Sequence, residues 1–153
     1  MIFNSLDEAF DELNGFITFD IDYFIKHFQI SLNYTDALPS NINGFTVPLT
    51  RTMFVNAQSG NQVFTKYHEF IHCLVDDSVE PLVESSYVSG AKIEHRANVG
   101  ALAIMIKEYM IHTGLEPSQF NLMQFQQYYG LNSKYLYDAA NEAERILGIR
   151  IDM

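Results

Sequence analysis

Two histidines and a glutamate at helical spacing are the residues of this chain best suited to chemistry. They occur in the string His68-Glu69-Phe70-Ile71-His72. In an α-helix residues i and i+4 lie one above the other, so both imidazoles would face the same side and could bind one Zn²⁺. The glutamate, one step further round the helix, could take a proton from water activated by that metal. The pattern predicts zinc ligands at His68 and His72 and a general base at Glu69.

A catalytic zinc needs a third protein ligand, because such sites use three side chains and leave one position for water. We predict Glu94, which follows His72 by 22 residues and stands near the start of an apolar segment. Asp76 would lie a full helical turn too far along the same stripe, and His95 would point about 100° away from Glu94. The alternative ligands downstream of the motif are Asp76, Glu84, His95 and His112.

The segment around the third ligand also carries a recognisable pattern. Residues Glu94-His95-Arg96-Ala97-Asn98 have the form E-x-x-A-N. Joined to H-E-x-x-H at this distance, the pattern resembles the ImmA/IrrE family of bacterial and phage metallopeptidases, and the likeness extends over most of the chain. The resemblance implies that the two histidines and Glu94 bind zinc, that Glu69 is the general base, and that Asn98 is a support within the second helix.

The same resemblance implies a role in gene regulation. Such proteins are commonly encoded on phages or other mobile elements beside a repressor, and they act as antirepressors that cleave it. We therefore expect a zinc-dependent endopeptidase whose substrate is a regulatory protein such as a repressor. One alternative is a non-catalytic antirepressor that sequesters its partner on a zincin-like scaffold. Another is a purely structural zinc, which would need a closed site with four protein ligands.

The hydrophobic pattern predicts the elements that position these residues. A helix at about 61–77 would carry the zinc motif on a broad apolar face, and a second helix at about 91–112 should be buried nearly all round. Residues 1–58 show the patterns of helices and short strands, and residues 118–148 those of further helices. We expect one α+β domain over 1–153, in which a small antiparallel sheet packs on a zincin-like helical core with extra C-terminal helices.

Charge and composition restrict the partners and the compartment. The chain has 19 Asp and Glu against 9 Lys and Arg, a net charge of −10, so direct nucleic-acid binding is not expected. The sequence has no run of about 18 apolar residues and no signal-peptide pattern. A single cysteine, Cys73, cannot form an internal disulfide. We expect a cytoplasmic protein without membrane association.

Overall fold

The computed structural model describes residues 2–76, the backbone of residues 82–85, and residues 92–152. Within these ranges the chain is of the α+β class, as predicted. The α-helices are α1 (Leu6–Asn14), α2 (Ile21–His27), α3 (Gln62–Val75), α4 (Lys92–Thr113), α5 (Leu122–Tyr129) and α6 (Leu136–Leu147). The strands are β1 (Ser31–Thr35), β2 (Ile42–Val47), β3 (Thr52–Asn56) and β4 (Leu82–Ser85). Single 3-10 turns occur at Pro48–Thr50, Pro117–Gln119 and Ser133–Tyr135.

The two helices predicted to carry the chemistry occur where the sequence placed them. Helix α3 corresponds to the zinc helix expected at about 61–77, and α4 to the buried helix expected at about 91–112. The predicted end of the first at residue 77 and the predicted start of the second at residue 91 lie outside the described residues. Helices α5 and α6 account for the C-terminal helical pattern.

The sheet is mixed, so the prediction of an antiparallel sheet was wrong. Its strand order is β1-β3-β2-β4. Strands β2 and β3 form an antiparallel hairpin through the turn at Pro48–Thr50, and β4 pairs antiparallel with β2. Strand β1 instead pairs in parallel with β3, on the side opposite β2. Alternating hydrophobicity identified β1 as a strand, but it contains no information about which neighbour a strand joins.

Helix α3 lies directly on the sheet, and a glycine makes this close approach possible. A Cβ atom on Gly44 of β2 would lie 2.6 Å from the backbone oxygen of Phe54 and 2.6 Å from Thr65 Cγ2 of α3. Real Cβ atoms do not approach other atoms so closely, so a side chain at this position would push the helix away from the sheet. The position of α3 therefore depends on the absence of a side chain at Gly44.

The other side of α3 is covered by α4, and again small residues form the contact. A Cβ on Gly100 would lie 2.9 Å from Ile71 Cδ1. The middle of α4, a helix expected to be buried nearly all round, is fully buried at Ala97, Ala101, Leu102 and Met105. Helix α6 also packs on α4, and its residues Ala139 and Ala143 are buried. No helix in the described ranges is long and apolar enough to cross a membrane.

A glycine substitution tests the contact between α3 and the sheet. Gly44→Ala should lower the free energy of unfolding by about 1–3 kcal/mol, the usual cost of overpacking. Gly60→Ala is the matched control, because a Cβ there meets nothing within 4 Å, and its change should stay within about 0.5 kcal/mol. Urea denaturation of both variants measures the difference. Equal stability of the two variants would contradict the proposed tight contact.

Candidate metal centre

Three side chains from two helices converge at the contact between α3 and α4. Helix α3 contributes His68 and His72, and α4 contributes Glu94 from its first turn. The two histidine Nε2 atoms are 3.2 Å apart. The carboxylate oxygens of Glu94 lie 2.8 Å from His68 Nε2 and 3.1 Å from His72 Nε2. The structure thus brings together the three residues predicted as ligands, with one ligand atom from each within 4.8 Å of the others.

The outer nitrogen of each imidazole has a partner of its own. His68 Nδ1 lies 2.7 Å from Asn98 Oδ1, and His72 Nδ1 lies 2.8 Å from Asp76 Oδ2. A carboxylate or amide oxygen can only accept a hydrogen bond, so each Nδ1 is the donor. The neutral form of each ring then presents its lone pair at Nε2, toward Glu94. These outer contacts fix the tautomer that a metal requires.

The inner atoms of this cluster fit a divalent metal by type and by spacing. Two imidazole lone pairs and a carboxylate are all electron donors, and they repel one another unless a proton or a metal ion lies between them. For tetrahedral Zn²⁺ with bonds of about 2.0–2.1 Å, ligand atoms would be separated by about 3.3 Å. The observed Nε2–Nε2 and His72–Glu94 separations of 3.2 and 3.1 Å are close to that value, whereas the His68–Glu94 separation of 2.8 Å is shorter and has the length of a hydrogen bond. The group could therefore hold a metal ion.

The short contacts among the predicted ligands shift their pKa values. Burial lowers the pKa of His72, but hydrogen bonds to Asp76 and Glu94, together with the negative charge of both carboxylates, raise it to about 9. Burial raises the pKa of Glu94, but hydrogen bonds to His68 and His72 and their charge lower it to about 2. Glu94 is therefore an anion at neutral pH, and His72 carries an extra proton until a metal displaces it.

Glu69 lies on a different side of α3 from the histidines. His68 and His72 face α4, whereas the Glu69 carboxylate faces the sheet, where the Thr46 hydroxyl of β2 donates a hydrogen bond of 2.9 Å to Oε2. The same hydroxyl lies 3.3 Å from the Glu69 backbone oxygen. The Glu69 side chain is fully buried. Glu69 is thus next to the ligands in the chain and is held by the sheet, outside the ligand set.

Comparison of the chain with protein-family models, curated proteins and solved structures gave no match. The resemblance to the ImmA/IrrE family therefore remains an expectation from the sequence.

The alternative ligands have other positions. Asp76 is next to the cluster but contacts the outer nitrogen of His72. His95 is exposed, and His112 lies about five turns further along α4, where its Nε2 is 3.1 Å from the backbone oxygen of Phe19. The Glu84 side chain lies outside the part of the chain that the structure describes.

A second buried carboxylate anchors α3 behind the metal cluster. Glu108 of α4 accepts hydrogen bonds from the Tyr67 hydroxyl at 2.5 Å, from the Tyr129 hydroxyl at 2.9 Å and from the backbone N–H of Ile21 at 2.8 Å. Burial and the nearby Glu108 charge raise the pKa of both tyrosines, so both remain neutral donors. Because Tyr67 directly precedes His68, this network ties the zinc helix to α2, α4 and α5.

Apart from Asn98, which was expected to be a support, the sequence interpretation missed the residues that surround the predicted ligands. Asp76 was considered only as a metal ligand, although its spacing of four residues from His72 also suits a contact to the outer nitrogen. Arg96, whose guanidinium pairs with Asp76, falls inside the E-x-x-A-N segment. Its position two residues after the predicted ligand Glu94 also suited a charged contact near the site. Thr46 and Glu108 are distant in sequence from the motif, and no local pattern pointed to them.

Metal binding gives the first test of this site. We expect one zinc per chain by elemental analysis, and His72→Ala should weaken zinc binding on the order of 10³-fold, because it removes one of three ligands. His95→Ala is the matched control, since His95 is exposed and adjoins Glu94. It should bind zinc like the parent. Zinc binding that depends on His95 and not on His72 would contradict the assignment.

The raised pKa of His72 leads to a second test. The ring holds two protons below a pKa of about 9 and must be neutral to ligate, so zinc binding near pH 7.5 should release about one proton. Apparent zinc affinity should then rise about tenfold per pH unit up to pH 9 and level off above it. Titration calorimetry in buffers of different ionisation enthalpy measures the released protons. Absence of proton release at pH 7.5 would contradict the assigned charge state.

Proposed function

We propose that this protein is a zinc-dependent endopeptidase in which His68, His72 and Glu94 hold the metal and Glu69 is the general base. The observation that carries the proposal is the convergence of three electron-donating side chains from two helices, at separations that suit tetrahedral zinc. The proposal includes a zincin-like arrangement, in which the motif helix α3 packs on the sheet and against α4, the helix that provides the third ligand.

The number of ligands favours a catalytic zinc over a structural one. Structural zinc sites are closed by four protein ligands, whereas catalytic sites use three and keep a position for water or substrate. Among the described residues, the metal-binding group consists of two histidines and one glutamate. A ligand set of two histidines and a glutamate is also one of those used by zinc peptidases.

Zinc, when bound, supplies Lewis acidity that polarises a peptide carbonyl and lowers the pKa of a water molecule toward about 7. The residues of the chain then supply the proton transfers. Glu69 Oε2 is held by the Thr46 hydroxyl, so the carboxylate has a fixed orientation. We assign to Oε1 of Glu69 the transfer of the proton from the attacking water to the leaving amide nitrogen.

The substrate class follows from the motif resemblance. We propose a peptide bond in a regulatory protein, with the repressor encoded by a phage or mobile element as the first candidate. The net charge of −10 disfavours the alternative in which the protein binds nucleic acid directly, because phosphates would be repelled.

A second candidate function is supported by the environment of Glu69. Its side chain is fully buried against the sheet, an environment that also suits a purely structural carboxylate. In this alternative the protein is an antirepressor that sequesters a partner protein, with zinc stabilising the scaffold. The two candidates differ in whether Glu69 is needed for a chemical step.

Replacement of Glu69 by glutamine distinguishes the two functions. Glu69→Gln keeps the size of the side chain and an acceptor for Thr46 but removes the base. For an endopeptidase, cleavage should fall by about 10²-fold or more, while zinc content and thermal stability stay near the parent values. Cleavage is measured by mass spectrometry on the candidate repressor and on a proteome-derived peptide library.

The control for this experiment is Glu12→Gln, which changes an exposed glutamate of α1 in the same way and should retain full cleavage. The variants are also compared in cells that carry a reporter under the repressor. If Glu69→Gln relieves repression as well as the parent does, the sequestering function is correct and the peptidase proposal is wrong.

A further inference from the structure

The outer side of His72 carries an interaction that the peptidase motif does not include. We propose that Asp76, held in place by Arg96, is a positioning residue that orients His72 for zinc. This inference rests on the proposed zinc site. It gives Asp76, considered from the sequence as an alternative ligand, a different role in the same site.

Asp76 is positioned by the way in which α3 ends. It is the C-cap residue of the helix, with an extended backbone (φ −109°, ψ 146°), and its N–H still donates to the backbone oxygen of His72 at 3.1 Å. The side chain turns back along the helix, so that Oδ2 lies 2.8 Å from His72 Nδ1. One residue therefore caps the helix and fixes the rotation of the ligand ring.

Arg96 provides the second contact of Asp76. Its guanidinium donates to Asp76 Oδ1, the oxygen that does not contact His72. The Asp76 side chain is only 5% exposed, and a carboxylate buried to this degree needs charged or hydrogen-bonding partners on both oxygens. Arg96 lies two residues after Glu94 on α4. Asp76 is thus held by the same helix that provides the third ligand.

These contacts form a closed ring around His72. Its Nε2 faces Glu94 of α4, its Nδ1 faces Asp76 of α3, and Asp76 returns to α4 through Arg96. A hydrogen-bonded carboxylate on the outer nitrogen fixes the ring orientation and makes the imidazole a stronger electron donor to a metal. In the equivalent place on His68, Nδ1 contacts a neutral amide, that of Asn98. We therefore expect the Asp76 contact to make a distinct contribution to zinc affinity.

The test compares zinc affinity between variants of this ring. The zinc dissociation constant is measured by competition with a chromophoric chelator for the parent, Asp76→Asn, Asp76→Ala and Arg96→Met. Asp76→Ala should weaken zinc binding by about 10- to 100-fold, the usual effect of losing such a partner. Asp76→Asn should have a smaller effect, because the amide oxygen still accepts a hydrogen bond. Arg96→Met should weaken binding on the order of tenfold, at the lower end of that range.

Asp22→Asn is the matched control for these variants. Its carboxylate also pairs with a cation, Lys66, at 3.1 Å, but its side chain is 72% exposed and lies on α2. Zinc affinity should stay within about twofold of the parent value. A second measurement follows the His72 Nδ1–H proton by NMR in the zinc-loaded protein. This resonance should be protected from exchange with water in the parent and lost by exchange in Asp76→Ala.

The outcomes separate this inference from the proposed function. Unchanged zinc affinity in Asp76→Asn and Asp76→Ala overturns the positioning role, while zinc binding that still requires His72 leaves the proposed site intact. If Asp76→Ala does not fold, Arg96→Met decides, because the Arg96 side chain is 40% exposed and its removal leaves no buried cavity. Weaker zinc binding in that variant supports the role, and unchanged binding refutes it. A parent that binds no zinc overturns both proposals.

Discussion

The mutual approach of two imidazole nitrogens and a carboxylate between α3 and α4 is the constraint on which the rest of the structure depends. These groups lie about 3 Å apart in a buried contact, where electron donors repel one another unless a cation is shared between them. The outer hydrogen bonds of the two histidines direct both lone pairs to the same point. The group could therefore hold a positive ion at that point.

Such an arrangement requires α3 to be held rigidly from several directions. Gly44 allows the helix to approach the sheet, and Gly100 allows α4 to approach from the other side. Behind the ligands, the carboxylate of Glu108 collects hydrogen bonds from α2, α3 and α5. Each contact lies outside the ligand set, yet each limits how far the histidines and Glu94 can separate. The geometry of the site is therefore a property of the packing of the whole domain.

The sequence predicted the parts of the site that depend on local spacing. Four-residue spacing placed His68 and His72 on one side of a helix, and continuous apolar character predicted the buried helix that supplies Glu94. Contacts between distant segments were not predictable in this way. The parallel pairing of β1, the strand β4 and the hydrogen bond from Thr46 to Glu69 depend on tertiary packing, which leaves no periodic signal in the chain. The role of Asp76 was missed for a different reason, because its spacing fits more than one function.

Helix α3 buries eleven of its fourteen residues, and three of these are His68, Glu69 and His72. An apolar side chain at one of these positions would leave a buried partner without its hydrogen bond, for example Asp76 beside His72 or Thr46 beside Glu69. Random mutation screened only for thermostability should therefore keep His68, Glu69 and His72 together with their partners, and should instead change the few positions of the helix that are not buried. The buried polar residues of α3, Thr65 among them, thus contribute to the fold as well as to the candidate metal centre.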